Sequence, residues 1–239
     1  MGPYRRERET DMSSRENQVP AVPATHLQRV ERLLADGLRK MLGLVGPPGA
    51  GKSTLARALH QAYPAISQIV PMDGFHLANS ELQRLGLAQR KGAPDTFDSA
   101  GYVALLRRLR QQGAAEIVYA PEFRREIEEP IAGAVAIAPQ TQLIIAEGNY
   151  LLLDQSTQPL QPPPQDYSHW AAIRGLLDEI WYLEIDDGLR RERLLQRHQQ
   201  FGRSQNEAAA WVAATDDPNA RLIAATKPRA HWVFRWREP

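Results

Sequence analysis

Five short apolar runs punctuate the chain, at Met41 to Val45, Ile66 to Met72, Leu143 to Ala146, Ile180 to Ile185 and Trp232 to Phe234, and their lengths suit buried strands. Between them the apolar positions change to a three-and-four spacing. His26 to Lys40 sets Leu27, Val30, Leu33, Leu34 and Leu38 on one stripe, and Ser99 to Gln112 does the same with Val103, Leu106 and Leu109. Both segments predict amphipathic surface helices. Strands alternating with helices argue for an α/β fold, a mostly parallel sheet covered by helices. From Glu116 to Pro139 the pattern turns to β-like pieces, IVYAPEF and AVAIAP, around the charged RREIEEPIAG. That predicts a small inserted ribbon whose polar tip could reach a ligand. The Pro- and Gln-rich stretch DQSTQPLQPPPQDYS, from Asp154 to Ser168, reads as a long exposed loop.

Residues 1–24 mix both charges with Ser and Pro and offer almost nothing to bury, so a disordered tail is expected there and one domain over 25–239. At 239 residues and 43% hydrophobic, the chain is long enough for one substantial core. Its 29 basic and 28 acidic residues leave a net charge of +1, so neither nucleic acid nor an anionic membrane is the default partner. With no cysteine, disulfides, cysteine-bound metals and thiol nucleophiles are excluded. No apolar run approaches the roughly 18 residues of a membrane span, and a cytoplasmic protein is the expectation. A homodimer is an open possibility.

The segment GPPGAGKST fits the phosphate-loop pattern G-x-x-x-x-G-K-[ST], with a strand-like MLGLV before it and a helix-like LARALHQAY after it. Gly46, Pro47, Pro48, Gly49, Ala50 and Gly51 form a loop whose N–H groups can turn toward one point. Lys52 is expected to meet the β and γ phosphates, Ser53 to ligate Mg²⁺, and Thr54 to complete the loop at the helix start. The pattern implies a nucleoside triphosphate and leaves the acceptor open, because kinases, GTPases and ATPases share it. Two carboxylates end later strands. Asp73 in VPMDGFHL could aim an acceptor hydroxyl at the γ phosphate and take its proton; the alternative is an ordinary D-G turn. Glu147 in LIIAEGNYLLL is placed where a Mg²⁺-linked carboxylate is expected.

In order, GPPGAGKST, MDGFH, GAPDTFDS, VYAPEFRREIEEP, AEGNYLLL and LEIDDGLRRERLLQRH resemble the phosphoribulokinase, uridine kinase and pantothenate kinase family, over about residues 27 to 236. The sequence is most similar to the bacterial nucleoside or nucleotide kinase-like and fructose-transport-system kinase-like branch. The resemblance implies a three-layer P-loop NTPase fold, MgATP as phosphoryl donor, Asp73 as base and Glu147 as metal-linked carboxylate. It also implies an acceptor pocket using His76, Asp98, Tyr119 and Arg124. Asp98 could instead cap the helix starting at Ser99, and Tyr119 and Arg124 could instead pack the ribbon. The ribbon EFRREIEEP departs from the tyrosine- and histidine-rich ribbon of uridine kinases, which sets a sugar or sugar-like acceptor ahead of a nucleoside.

After EIWYLEI, the run DDGLRRERLLQRHQQFGRSQ places Arg190, Arg193 and Arg197 on one helical face. In this family the position is a lid, so Arg193 and Arg197 are candidates to stabilise the transferring phosphoryl group, with Arg203 beyond a Gly202 hinge; a solvated charged face is the alternative. Asn219 could touch the lid or ligand or cap a helix, and Thr226 to Arg229 stand where such kinases hold adenine. Trp211, Trp232 and Trp236 read as packing residues. The expected activity is phosphoryl transfer from MgATP to a hydroxyl of a small polar metabolite. A nucleotide-dependent regulatory ATPase is the rival from another class.

Overall fold

In the computed structural model, residues 19–157 and 167–236 are described. Most of the expected tail, 1–18, and much of the expected loop, 158–166, lie outside them. Val19 and Val22, from the last part of the tail, pack on the core. Seven strands form, β1 (Lys40–Val45), β2 (Ser67–Pro71), β3 (Val118–Arg124), β4 (Glu129–Ile137), β5 (Leu143–Gly148), β6 (Glu179–Glu184) and β7 (Trp232–Arg235). Five of them make one sheet in the order β2-β5-β1-β6-β7, and every pairing in it is parallel. All five runs read from the sequence are its strands.

The period of two along the central strand explains the layers. Met41 and Val45 face one side with Ile144 and Ala146 of β5, while Leu42 and Leu44 face the other with Leu143 and Ile145. The helices α1 (Ala24–Leu33) and α2 (Lys52–Ala62) cover the second face with Val30, Leu55 and Leu59. On the first face lie α4 (Ser99–Arg110) and α5 (Ser168–Arg174), with Tyr102, Leu106, Leu109 and Trp170, following the short α3 (Asn79–Arg84). Each such side chain, fully removed from water, contributes about 1.5–3 kcal/mol. No described helix is long and apolar enough to cross a membrane.

α1 stops earlier than its stripe predicts. Asp36 accepts a hydrogen bond from the Leu38 amide, Gly37 takes a left-handed φ of 71°, and the chain turns into β1, leaving Leu38 exposed. Turn chemistry at D-G outweighed helical periodicity there. β3 and β4 form the expected antiparallel ribbon, with a register shift between Ala120 and Glu122. Beyond β6, α6 (Asp187–Gln200) ends at Gly202, and α7 (Gln205–Trp211) starts in a Ser204–Glu207 capping box. A π-helical turn, Val212–Asp216, joins α7 to α8 (Asp217–Ala224).

Candidate active site

Parallel register brings three strand ends to one level. Glu147 lies opposite Leu44 of β1 and Pro71 of β2, so the loop after β1, the turn after β2 and the end of β5 open onto one cleft of about 1270 Å³. Ligands collect at this edge of open α/β sheets. In the phosphate loop, Gly49 has φ 84°, and a Cβ there would stand 2.9 Å from the Arg190 carbonyl, so both backbone and space demand glycine. Lys52, the first residue of α2, folds back to donate to the carbonyls of Gly46 (2.9 Å) and Pro47 (3.2 Å). Burial pulls its ammonium down to about 8, against the opposing pull of Glu147 and Asp73. The Ser53 hydroxyl donates to Glu147 Oε1 at 3.2 Å. Burial and the nearby Asp73 charge raise the Glu147 carboxyl above its ordinary value.

Asp73 sits in the 3-10 turn Met72–Phe75 that follows β2. Gly74 is required because β3 crosses over it: a Cβ would stand 2.4 Å from the Pro121 carbonyl. The Asp73 carboxylate accepts from Arg125 Nη2 at 3.3 Å, and its backbone carbonyl accepts from His76 Nδ1 at 2.7 Å. Burial pushes its carboxyl up, but His76, Arg125, Lys52 and Arg197 outweigh that and hold it below the usual range. Since burial keeps His76 itself neutral, the lasting share at neutral pH comes from Arg125, Lys52 and Arg197. The His76 ring lies between Phe97 (4.0 Å between centroids) and Phe123 (4.6 Å).

The Mg²⁺ expected beside these residues takes octahedral oxygen ligands and keeps several waters, so it needs few protein groups. The Ser53 hydroxyl next to a buried carboxylate fits that donor set, although no cluster of three or more potential ligands occurs among the described residues.

Several predicted residues stand elsewhere. Asp98 caps α4, accepting from the Gly101 amide at 2.8 Å, and does not line the cleft. Tyr119 is 55% exposed on the outside of the ribbon. Arg124 pairs with Glu122 at 3.0 Å, and the cleft takes its neighbour Arg125 instead. Of the α6 arginines, Arg193 and Arg197 line the cleft, whereas Arg190 is buried and bonds Asp187 and Asp217. Arg203 lines the cleft with its guanidinium 3.9 Å from the Trp211 ring centroid. Asn219 lines the cleft too, and donates to the Gly92 carbonyl at 3.3 Å. In the stretch expected beside adenine, Lys227 pairs with Glu184 and Arg229 with Asp154, and none of its residues lines the cleft.

Other lining residues escaped the sequence reading. Trp236 stands over the phosphate loop, its Nε1 3.2 Å from where a Gly51 Cβ would lie, with Arg193 Nη1 at 3.8 Å. Nothing in the sequence separates this tryptophan from a packing one. Asp216 reaches the cleft on the π turn and accepts from His198 Nε2 at 2.8 Å. A signal for that turn exists: Pro218 has no N–H for the carbonyl four residues earlier, which favours local widening of the helix.

No protein-family model matches the sequence. A Schizosaccharomyces pombe protein described as a candidate uridine kinase is 34% identical over 197 residues, 79% of this chain and 78% of that protein. An Aspergillus versicolor ATP-dependent kinase-like protein is 34% identical over 70% of this chain and 96% of its own length. The crystal structure of a candidate fructose transport system kinase from Silicibacter superposes with a TM-score of 0.70 and 36% identity, covering 82% of this chain and 89% of that one. With its phosphate loop, strand-end carboxylates and parallel sheet in this arrangement, the chain belongs to the phosphoribulokinase, uridine kinase and pantothenate kinase family of P-loop kinases.

Proposed function

We propose that the chain transfers the γ-phosphoryl group of MgATP to a hydroxyl of a small polar metabolite, a sugar or sugar-like compound ahead of a nucleoside. The observation that carries this reading is the meeting of Lys52, the Ser53–Glu147 pair and the Arg125-bound Asp73 at adjacent strand ends. In the reaction the acceptor oxygen bonds to the γ phosphorus, the bond to the β–γ bridging oxygen breaks, and ADP leaves with that oxygen. Asp73, held ionised, takes the hydroxyl proton as the new bond forms. Lys52 exchanges its carbonyl partners for phosphate oxygens. Arg193 and Arg197 reach the cleft from α6 and oppose the charge spread over the transferring group. Ser53 and Glu147 would hold Mg²⁺, which when bound neutralises phosphate charge.

Several features favour a sugar-like acceptor over a nucleoside. The cleft lining includes the polar Asn79, Lys91, Arg125 and Asn149, and the two phenylalanine rings beside His76, Phe97 and Phe123, are both already engaged by it, Phe123 by two cations as well. A base would find both of those rings already taken. Measuring ADP release against a panel of sugars, sugar acids and nucleosides tests the reading. Transfer to at least one hydroxyl compound is expected, lost by 10²–10⁴-fold in Asp73→Asn with ATP affinity kept, as a general base of about that worth requires. ATP binding with no stimulated turnover across the panel, or full transfer by Asp73→Asn, overturns it.

A further inference from the structure

The acceptor side of the cleft is built around two cations held in place before any ligand arrives. Lys91 is mostly buried, and its ammonium donates to Asn79 Oδ1 at 2.7 Å and to the Glu128 backbone carbonyl. Both acceptors are neutral. The Glu128 carboxylate forms a long ion pair with it at 3.7 Å, outside hydrogen-bond distance and half-exposed to water, so one of the three ammonium protons is still open to a closer partner. Arg125 uses one nitrogen on Asp73, at 3.3 Å, and a guanidinium has five donors. The two flank one ring: Lys91 Nζ is 5.1 Å and Arg125 Cζ 5.8 Å from the Phe123 centroid.

The ribbon tip is strained to hold this arrangement. Glu128, at φ 52°, is the non-glycine residue with positive φ among those described, and that bend presents its carbonyl to both Lys91 and Asn79 Nδ2. The Glu129 carboxylate fastens the same tip to the Asn79 amide. A clamp onto two neutral oxygens needs no charge, and the one ion pair, to Glu128, is long. Glutamine could bond two carbonyl oxygens as well, without the cost of burying an ammonium that burial already weakens.

The charge of the whole cleft points the same way. Lys52, Arg57, Arg193, Arg197 and Arg203 line it together with Lys91 and Arg125. Four carboxylates, Asp73, Glu128, Glu147 and Asp216, oppose these seven cations, leaving +3. MgATP brings about two negative charges. The lining therefore stays net positive with MgATP bound, and the open donors of Lys91 and Arg125 are where an acid group on the acceptor can meet it.

Resting on the kinase reading above, we infer that the acceptor is an anion: a hydroxy compound that also carries a carboxylate or phosphate group, bound by Lys91 and Arg125 while its hydroxyl faces Asp73. The test is binding, so it does not depend on turnover. The protein loaded with Mg²⁺ and a non-hydrolysable ATP analogue is titrated with matched pairs: D-glycerate against glycerol, D-gluconate against glucose, and ribose 5-phosphate against ribose. At least one acid is expected to bind about tenfold or more tighter than its neutral partner, the worth of charge-assisted hydrogen bonds. Whether the carboxylates or the sugar phosphate show the preference tells the two acid groups apart. Lys91→Gln is expected to remove most of the preference and Lys91→Arg to keep it, with affinity for the nucleotide analogue unchanged in both. Equal or weaker binding by every acid, or a full preference in a folded Lys91→Gln protein, overturns the inference. Tight binding of an acid with no phosphoryl transfer would sink the kinase reading alone, and transfer to neutral sugars without acid preference would sink the anionic acceptor alone.

Discussion

At the residue scale the site depends on which of two neighbouring side chains points inward. Arg124 and Arg125 are indistinguishable in RREIEEP, and the shift of register between Ala120 and Glu122 breaks the alternation that would have told them apart. Because Arg125 lends its charge to Asp73, it also sets when the base is ionised. A carboxyl held low is competent above its pKa and fails as pH falls through it. Arg125→Gln removes one of the charges that depress it, so the acid limb of the kcat/KM profile is expected to move to higher pH. An unmoved limb in a pH–rate profile would detach Arg125 from the base. Asp98 behaves differently. As the cap of α4 its loss in Asp98→Ala is expected to cost about 1 kcal/mol in denaturant unfolding while leaving the acceptor KM alone. A raised KM would return it to the pocket.

At the element scale, α6 uses one face for two purposes. Its spacing puts Arg190, Arg193 and Arg197 on a common side, as the sequence indicates. Packing then divides them, since the first turn lies under the phosphate loop at Gly49 and the later turns overhang the cleft. Arg190 is enclosed with Asp187 and Asp217, and Arg190→Met removes one of the two arginines on the half-buried Asp217, leaving Arg191 at 3.1 Å, so a loss of about 1–3 kcal/mol is expected. Arg193→Met and Arg197→Met are expected to lower kcat by about 10²-fold or more with the melting temperature kept. Thermal unfolding and steady-state rates on the three variants separate these roles; equal loss of stability in all three would remove the case for a catalytic half. Apolar periodicity did not foretell the π turn, for which Pro218 is the one local signal and whose widening carries Asp216 to the His198 imidazole.

Across the whole molecule, the cleft is assembled from loops on β1, β2, β5 and β6 together with the ribbon, so a ligand that touches them all stabilises the fold as a unit. At a hundredfold excess over its Kd, Mg²⁺ with a non-hydrolysable ATP analogue is expected to add about 2.7 kcal/mol, read as a rise in Tm. Lys52→Ala is expected to lose most of that rise, and a nucleotide response that survives the change would put the phosphates elsewhere. By itself the sequence determined the five strands, the ribbon, the phosphate loop and the two strand-end carboxylates. Those signals are local: a period of two, a glycine spacing, an acid where an apolar run stops. Tertiary structure decided which polar residues share the cleft. Lys91, Arg125 and Trp236 come from segments far apart in the chain and enter through a bulge, a strained turn and the strand order, none of which has a period. Asp98 and Tyr119 were kept out by the same packing, one by a helix start that needed its oxygen and the other by the outer face of the ribbon.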